Sequence, residues 1–161
     1  MPERSAGILP YRRRSDEVEV FIGHMGGPYW AKKDARGWSI VKGLVDEGES
    51  ELEAARREFA EETGHPFPEP ADARGSGALD LLGEFKQPSG KRVTVFVAEV
   101  DELPPLDGGS FFELEWPPRS GRVQSFPEID RLEWFDVEAA AEKLVAGQLP
   151  VLDALRARLA E

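Results

Sequence analysis

Residues 43–65 read GLVDEGESELEAARREFAEETGH, and the rest of the chain is interpreted outward from them. Ser50 followed by Glu53 is a capping box, in which each side chain satisfies the other's free backbone N–H, so a helix is predicted to begin there. Leu52, Ala55 and Phe59 recur at helical spacing and are expected to form its buried stripe. Gly64 supplies a left-handed cap and Pro66 a breaker. On this helix Glu58, Glu61 and Glu62 stand as i, i+3 and i+4, so they share one face, expected to lie roughly opposite the apolar stripe. Like charges one turn apart repel by ~0.2–0.5 kcal/mol per pair. A cation held among them reverses that sign. Oxygen-only donors suit a hard divalent ion, Mg²⁺ or Mn²⁺, better than zinc.

The flanking residues extend the same chemistry. Arg57 has Glu53 and Glu61 at i±4, and the Gly43 carbonyl, uncrowded by any side chain, is a further oxygen. Lys42, Lys32 and Lys33 precede the acidic helix and are placed to hold a polyanion that carboxylates alone would repel. Metal-binding carboxylates beside lysines meet the needs of phosphoryl or pyrophosphoryl chemistry, in which a spare carboxylate takes a proton from water. A cluster of glutamates on a helix is ordinarily a solvated face; here the complete spacing outweighs that reading.

Composition narrows the field further. The 161 residues suit one domain, 1–161, with a single core, and no run approaches the roughly 18–20 apolar residues of a membrane span. No signal-peptide pattern follows Arg12–Arg14, so the protein is expected to be cytoplasmic. There are no cysteines and only two histidines, which excludes thiolate zinc, iron–sulfur and multi-histidine metal sites. The net charge of −11 disfavours nucleic acid and anionic membranes as partners. Residues 46–62 hold eight acids against two arginines, more than half of that excess.

Along the chain, Ser5–Arg12 and Val18–Gly23 look like strands, and Trp38–Val41 is a short extended piece. His65–Gly77 reads as an exposed connection. Leu79–Lys86 and Val93–Val100 are predicted to be neighbouring strands. Asp101–Gln124, rich in proline and glycine, reads as one long irregular loop. Arg131–Phe135 is a last strand, followed by one or two helices with Leu152, Leu155 and Leu159 as an apolar stripe. The pattern is α/β, a mixed sheet with helices packed on it.

The string Gly43-x5-Glu49-x7-Arg57-Glu58-Phe59-x-Glu61-Glu62-x-Gly64-His65 resembles the Nudix box, G-x5-E-x7-R-E-U-x-E-E-x-G-U, where U is a bulky apolar residue. His65 occupies the last U position. The resemblance implies an α/β/α sandwich, with the box helix on one side of a mixed sheet and the closing helices on the other. It also implies an Mg²⁺- or Mn²⁺-dependent hydrolase that cleaves the pyrophosphate link of a nucleoside diphosphate joined to another group. Carried over by position, Glu58, Glu61, Glu62 and the Gly43 carbonyl would hold metal. Glu58 is the family's frequent general base, Glu61 shares the catalytic turn, and Arg57 would orient carboxylates through a pair to Glu49 or its helix neighbours. A glutamate outside the box often completes such a site; Glu99 is the first candidate, with Glu113, Glu115 and Glu128 next.

The run Trp38-Ser39-Ile40-Val41-Lys42-Gly43 resembles the W-x-x-P-K-G of diadenosine polyphosphate and diphosphoinositol hydrolases, with valine in place of proline. With the Ala98-Glu99-Val100 ending, it leans towards the dinucleoside polyphosphate branch, nucleoside triphosphates coming second. Lys42, Lys32, Trp38 and Arg119 are the candidate substrate contacts, and the Glu115–Arg122 loop is expected to bear on specificity. Trp30, Trp38 and Trp116 divide evenly between base stacking and packing, and Trp134 is read as core. The expected partner is a small nucleotide pyrophosphate, and the expected assembly a monomer or homodimer. The rival reading is a Nudix-fold module that senses a nucleotide without cleaving it.

Overall fold

The computed structural model describes residues 3–68 and 78–161. Among these residues, nine strands and three α-helices follow one another: β1 (Arg4–Arg14), β2 (Glu17–Met25), β3 (Trp38–Ser39), β4 (Val41–Leu44), α1 (Glu51–Thr63), β5 (Asp80–Lys86), β6 (Arg92–Glu99), β7 (Phe111–Glu115), β8 (Val123–Pro127), β9 (Ile129–Asp136), α2 (Val137–Lys143) and α3 (Leu149–Leu159). The main sheet runs β3-β2-β1-β6-β5, with β4 also on β1 and β9 also on β2. It is mixed: β1 lies parallel to β6 along its length, while its first half pairs antiparallel with β4 and its second half with β2.

Alternation along the strands sends apolar side chains to both faces. Val93, Val95 and Val97 of β6 join Leu9, Val20 and Ile22 in a core closed by Val137, Ala140, Leu152 and Leu155 of α2 and α3. Phe96 and Ala98 join Ala6, Ile8 and Val41 in a second core, closed by Ala54, Ala55 and Phe59 of α1. The result is an α/β/α sandwich. No helix among the described residues is long and apolar enough to cross a membrane.

Three expectations are corrected. Leu52 is 38% exposed, and Ala54 takes its place in the core. The packed face of α1 is Ala54, Ala55, Glu58, Phe59 and Glu62, so two of the glutamates lie within the buried face instead of opposite it. The segment 101–124 is not irregular throughout, because β7 and β8 pair antiparallel as a separate two-stranded sheet. Prolines and glycines at its turn obscure the alternation that builds it. Of the connection 65–77, residues 69–77 lie outside the described residues, while Phe67 is buried edge-on against Phe59.

Candidate functional site

The capping box forms as the sequence dictates. Glu53 N–H donates to Ser50 Oγ at 3.1 Å, the Ser50 N–H donates to the Glu53 carboxylate at 3.1 Å, and Gly64 caps the other end in the left-handed region at φ +82°. The helix is thereby fixed in phase, with Glu58 and Glu62 turned towards β4. A β-carbon on Gly43 would fall 2.0 Å from the Glu58 carboxyl carbon, so only glycine lets the helix seat there.

Arg57 organises the acids. Its Nε and Nη2 donate to the two oxygens of Glu49 at 2.8 and 3.0 Å, its Nη1 to Glu58 at 2.9 Å and Glu61 at 3.1 Å, and Nη2 also to the Leu44 carbonyl at 2.8 Å. Glu49 holds the loop in turn, accepting from the Asp46 N–H at 3.0 Å. The Arg57 bonds keep Glu49 below the usual carboxylate range, and Glu49 in turn raises the guanidinium further. Burial pushes Glu58 up against the pull of Arg57. Glu62 is pushed up to about 8, first by burial and then by the charges of Glu128, Glu58 and Glu61.

Glu128 comes from outside the helix. It precedes β9 where the β2–β9 pairing slips at His24/Met25, and its backbone bridges two segments. Its N–H donates to the Ser110 carbonyl at 2.8 Å, and its carbonyl accepts from Gly26 at 3.0 Å. Residues 107–110 dock on the end of α1, Asp107 N–H donating to Thr63 O at 3.0 Å and Ser110 Oγ to Glu61 O at 3.1 Å. Four stretches of chain thus meet beside Glu62.

Lys42 is half-buried in a cleft of about 280 Å³ that it shares with Gly43, Ser5 and Lys91. Burial lowers its pKa, Lys91 adds to the effect, and Glu58 and Glu62 oppose it. Lys91, which no motif marked, arrives on the turn between β5 and β6.

The structure does not bring the remaining candidates to this place. Val97 belongs to the α2–α3 core and Ala98 to the α1 core, so alternation turns Glu99 away from α1, where it lies 3.6 Å from Arg13. Its assignment as a metal ligand is therefore corrected. Trp38 is 1% exposed, edge-on to His24 and Phe135, with its N–H donating to Asp34 at 3.1 Å. It is a core residue with no face open to a substrate. Lys32 is exposed on the loop after β2, and Arg119 is exposed at the tip of the β7–β8 hairpin together with Arg122. Glu113 and Glu115 are exposed along that hairpin. Trp134 packs against Phe21, ring centres 5.0 Å apart and tilted by 49°, and the Arg12 guanidinium lies 4.2 Å from its ring centre.

Among the described residues, no three His, Asp or Glu side chains already close on one point as a metal site. Glu58 and Glu61 each give an oxygen to Arg57. The donor chemistry nevertheless fits a hard divalent cation. The acids crowd at a glycine-lined surface, no hydrogen-bond donor among the described residues reaches Glu62, and a cation relieves the repulsion that raises its pKa.

The NUDIX domain model matches residues 1–155. The chain is 30% identical over 139 residues to an uncharacterized 17.7 kDa protein of Enterobacteria phage T4, covering 83% of this chain and 86% of that one. It is 32% identical over 109 residues to an 8-oxo-(d)GTP phosphatase of Mycolicibacterium smegmatis, covering 66% of this chain but 26% of that longer protein. Among solved structures, a C. elegans Ap4A hydrolase in a binary complex superposes with a TM-score of 0.62 at 22% identity, over 97% of this chain and 98% of that one. The NUDIX domain of Shewanella oneidensis NrtR, complexed with ADP ribose, gives a TM-score of 0.63 at 14% identity, over 99% and 89%. Both structural likenesses are of fold. With the domain model spanning almost all of its length, the chain belongs to the Nudix family of pyrophosphohydrolases.

Proposed function

We propose that this enzyme uses Mg²⁺ or Mn²⁺ to hydrolyse a nucleoside-diphosphate-X substrate, a dinucleoside polyphosphate first and a nucleoside triphosphate second. The observation that carries the reading is Glu62 crowded by Glu58, Glu61 and Glu128, with Glu58 seated against Gly43 and Arg57 bonded to Glu58 and Glu61. The Ap4A hydrolase and 8-oxo-(d)GTP phosphatase among the similar proteins support nucleotide chemistry of this class.

Glu58, Glu61, Glu62, Glu128 and the Gly43 carbonyl would hold the ion, which neutralises phosphate oxygens when bound. Arg57 fixes the rotamers of Glu49, Glu58 and Glu61. Glu58 takes a proton from water, the water oxygen bonds to phosphorus, and the bridging P–O bond breaks with its electron pair leaving on the departing phosphate. Lys42, across the cleft from Lys91, holds the phosphate chain as a point charge.

One observation favours the sensor reading: Arg57 already occupies Glu58 and Glu61, and a sensor needs no closed carboxylate set. An activity screen separates the two. With Mg²⁺ or Mn²⁺, nucleoside triphosphates, dinucleoside polyphosphates and nucleotide sugars are incubated with the protein, and Glu62→Gln serves as blank. Metal-dependent cleavage absent from the blank supports hydrolysis. A nucleotide that raises Tm with no cleavage across the panel supports sensing.

A further inference from the structure

Outside both cores lies an apolar stripe rooted at the acidic site. On β7 the half-buried Phe112 and Leu114 share one face, which continues to Trp116, while Phe111, Glu113 and Glu115 are exposed. Phe126 of β8 pairs with Phe112 on that face, its ring 6.0 Å away. None of these side chains belongs to either core.

The loop after β2 meets this stripe. Gly27 sits at φ +93°, and a β-carbon there would fall 2.7 Å from the Phe112 ring. Two residues further on, Tyr29 meets Trp116 edge-to-face at 5.1 Å and 78°, yet Tyr29 remains 57% exposed. The loop that carries it is fixed at several points. The Met25 N–H donates to Gly37 O at 2.9 Å, the buried His24 Nε2–H donates to Lys33 O at 2.5 Å, and the Lys33 ammonium stands 4.9 Å from the Trp30 ring centre. An aromatic group held open on a fixed loop suits recognition, because little ordering cost remains when a ligand arrives.

Position and charge name the ligand. Glu128 is bonded through its backbone to Gly26 on the loop and to Ser110 at the hairpin's base. Three residues of chain reach about 10 Å, so Tyr29 stands no further than that from Gly26, a reach comparable to a ribose with two phosphates. Arg119 and Arg122 at the hairpin tip and Lys32 on the loop are exposed and carry no ion pair with a described residue. An aromatic edge flanked by uncommitted cations, leading to a carboxylate cluster, fits a planar base on a phosphate chain.

We propose that Tyr29 and Trp116 form the platform that receives the base of the nucleotide substrate, its phosphate chain leading back towards Glu128. This rests on the pyrophosphohydrolase reading above. The competing role is a clip that only pins the hairpin to the loop, and it predicts no dependence on the base.

The test compares Tyr29→Leu and Trp116→Leu with Tyr29→Phe and Trp116→Phe on two probes: a nucleoside triphosphate, and inorganic tripolyphosphate as substrate or competitor. Base stacking on an aromatic ring corresponds to a change on the order of tenfold. The leucine variants are expected to lose about that factor in the preference, by KM or Ki, for nucleotide over tripolyphosphate, with the phenylalanine variants retaining most of it. An equal change on both probes, or no change on the nucleotide, overturns the proposal. Calorimetric titration of the unsubstituted protein with ADP and with pyrophosphate needs no variant and no turnover. ADP binding no tighter than pyrophosphate overturns the platform even where cleavage is found. Tighter ADP binding that Tyr29→Leu abolishes supports the platform even where no substrate is cleaved.

Discussion

At the scale of single residues, Arg57 carries the densest set of contacts at the site. Its planar fork meets both oxygens of Glu49, one each of Glu58 and Glu61, and the Leu44 carbonyl. A lysine keeps the charge but presents one point where the guanidinium presents a plane. Arg57→Lys is expected to cost about 2 kcal/mol, lowering Tm by about 4–8 °C in a thermal melt. It should lower kcat/KM about a hundredfold, since a carboxylate misplaced by an ångström loses about that factor. Glu62 gives a second prediction. Its pKa is about 8 in the fold, raised by burial and by Glu128, against 4.5 unperturbed. The unfolded chain therefore releases this proton first, and stability falls as pH rises from about 4.5 to about 8. Melts in a chelating buffer should show Tm dropping across that window, and Glu62→Gln should flatten the drop. Mg²⁺ should raise Tm more at pH 8 than at pH 6; an equal rise at both would detach the ion from Glu62. The spacing of Glu58, Glu61 and Glu62 was legible because a single helix relates them. Glu128 stood only behind Glu99 and level with Glu113 and Glu115, because pairing of β2 with β9 brings it there across a long stretch of chain. Glu99 stood at a strand end in the sequence, and only the two cores reveal the face it takes.

At the scale of elements, α1 is the part the sequence describes best, because both its ends are marked by residues whose reason for being there is local. Ser50→Ala removes the acceptor for Glu53 N–H and is expected to cost about 1 kcal/mol. Tm should fall by about 2–4 °C. Activity measured well below that temperature should persist, since Arg57 fixes the acids from further along the helix. A loss of activity at low temperature would mean that the first turn also positions the metal-facing residues. The burial of Glu58 and Glu62 was less legible. Apolar spacing points to Leu52, whereas the close approach of β4 at Gly43 turns the helix so that carboxylates share the packed face. The β7–β8 hairpin was hidden for a different reason. Its stripe of Phe112, Leu114 and Trp116 is flanked by Pro104, Pro105, Pro117 and Pro118, whose local preferences mask a five-residue alternation.

At the scale of the molecule, one sheet separates two cores, and the candidate site belongs to one of them. Phe59 is 1% exposed between Glu58 and the chain leading to Glu62, in the core closed by α1. Leu155 is fully buried in the opposite core, under α3. Truncating either leaves a cavity and costs about 2–5 kcal/mol, so both variants should melt on the order of 10 °C lower. Their effects on turnover should differ. Phe59→Ala lets α1 settle against the sheet and move the carboxylates, so kcat should fall by an order of magnitude or more even at a temperature where the protein remains folded. Leu155→Ala loosens only the far face, and β1 and β6, bonded along their length, separate it from α1. Its kcat at the same temperature should stay within about twofold of the unsubstituted enzyme. Circular dichroism fixes the folded fraction at the assay temperature, so the comparison is made per folded molecule. If Leu155→Ala lowers kcat as much as Phe59→Ala, the sheet transmits packing defects from one face to the other, and the site depends on both cores.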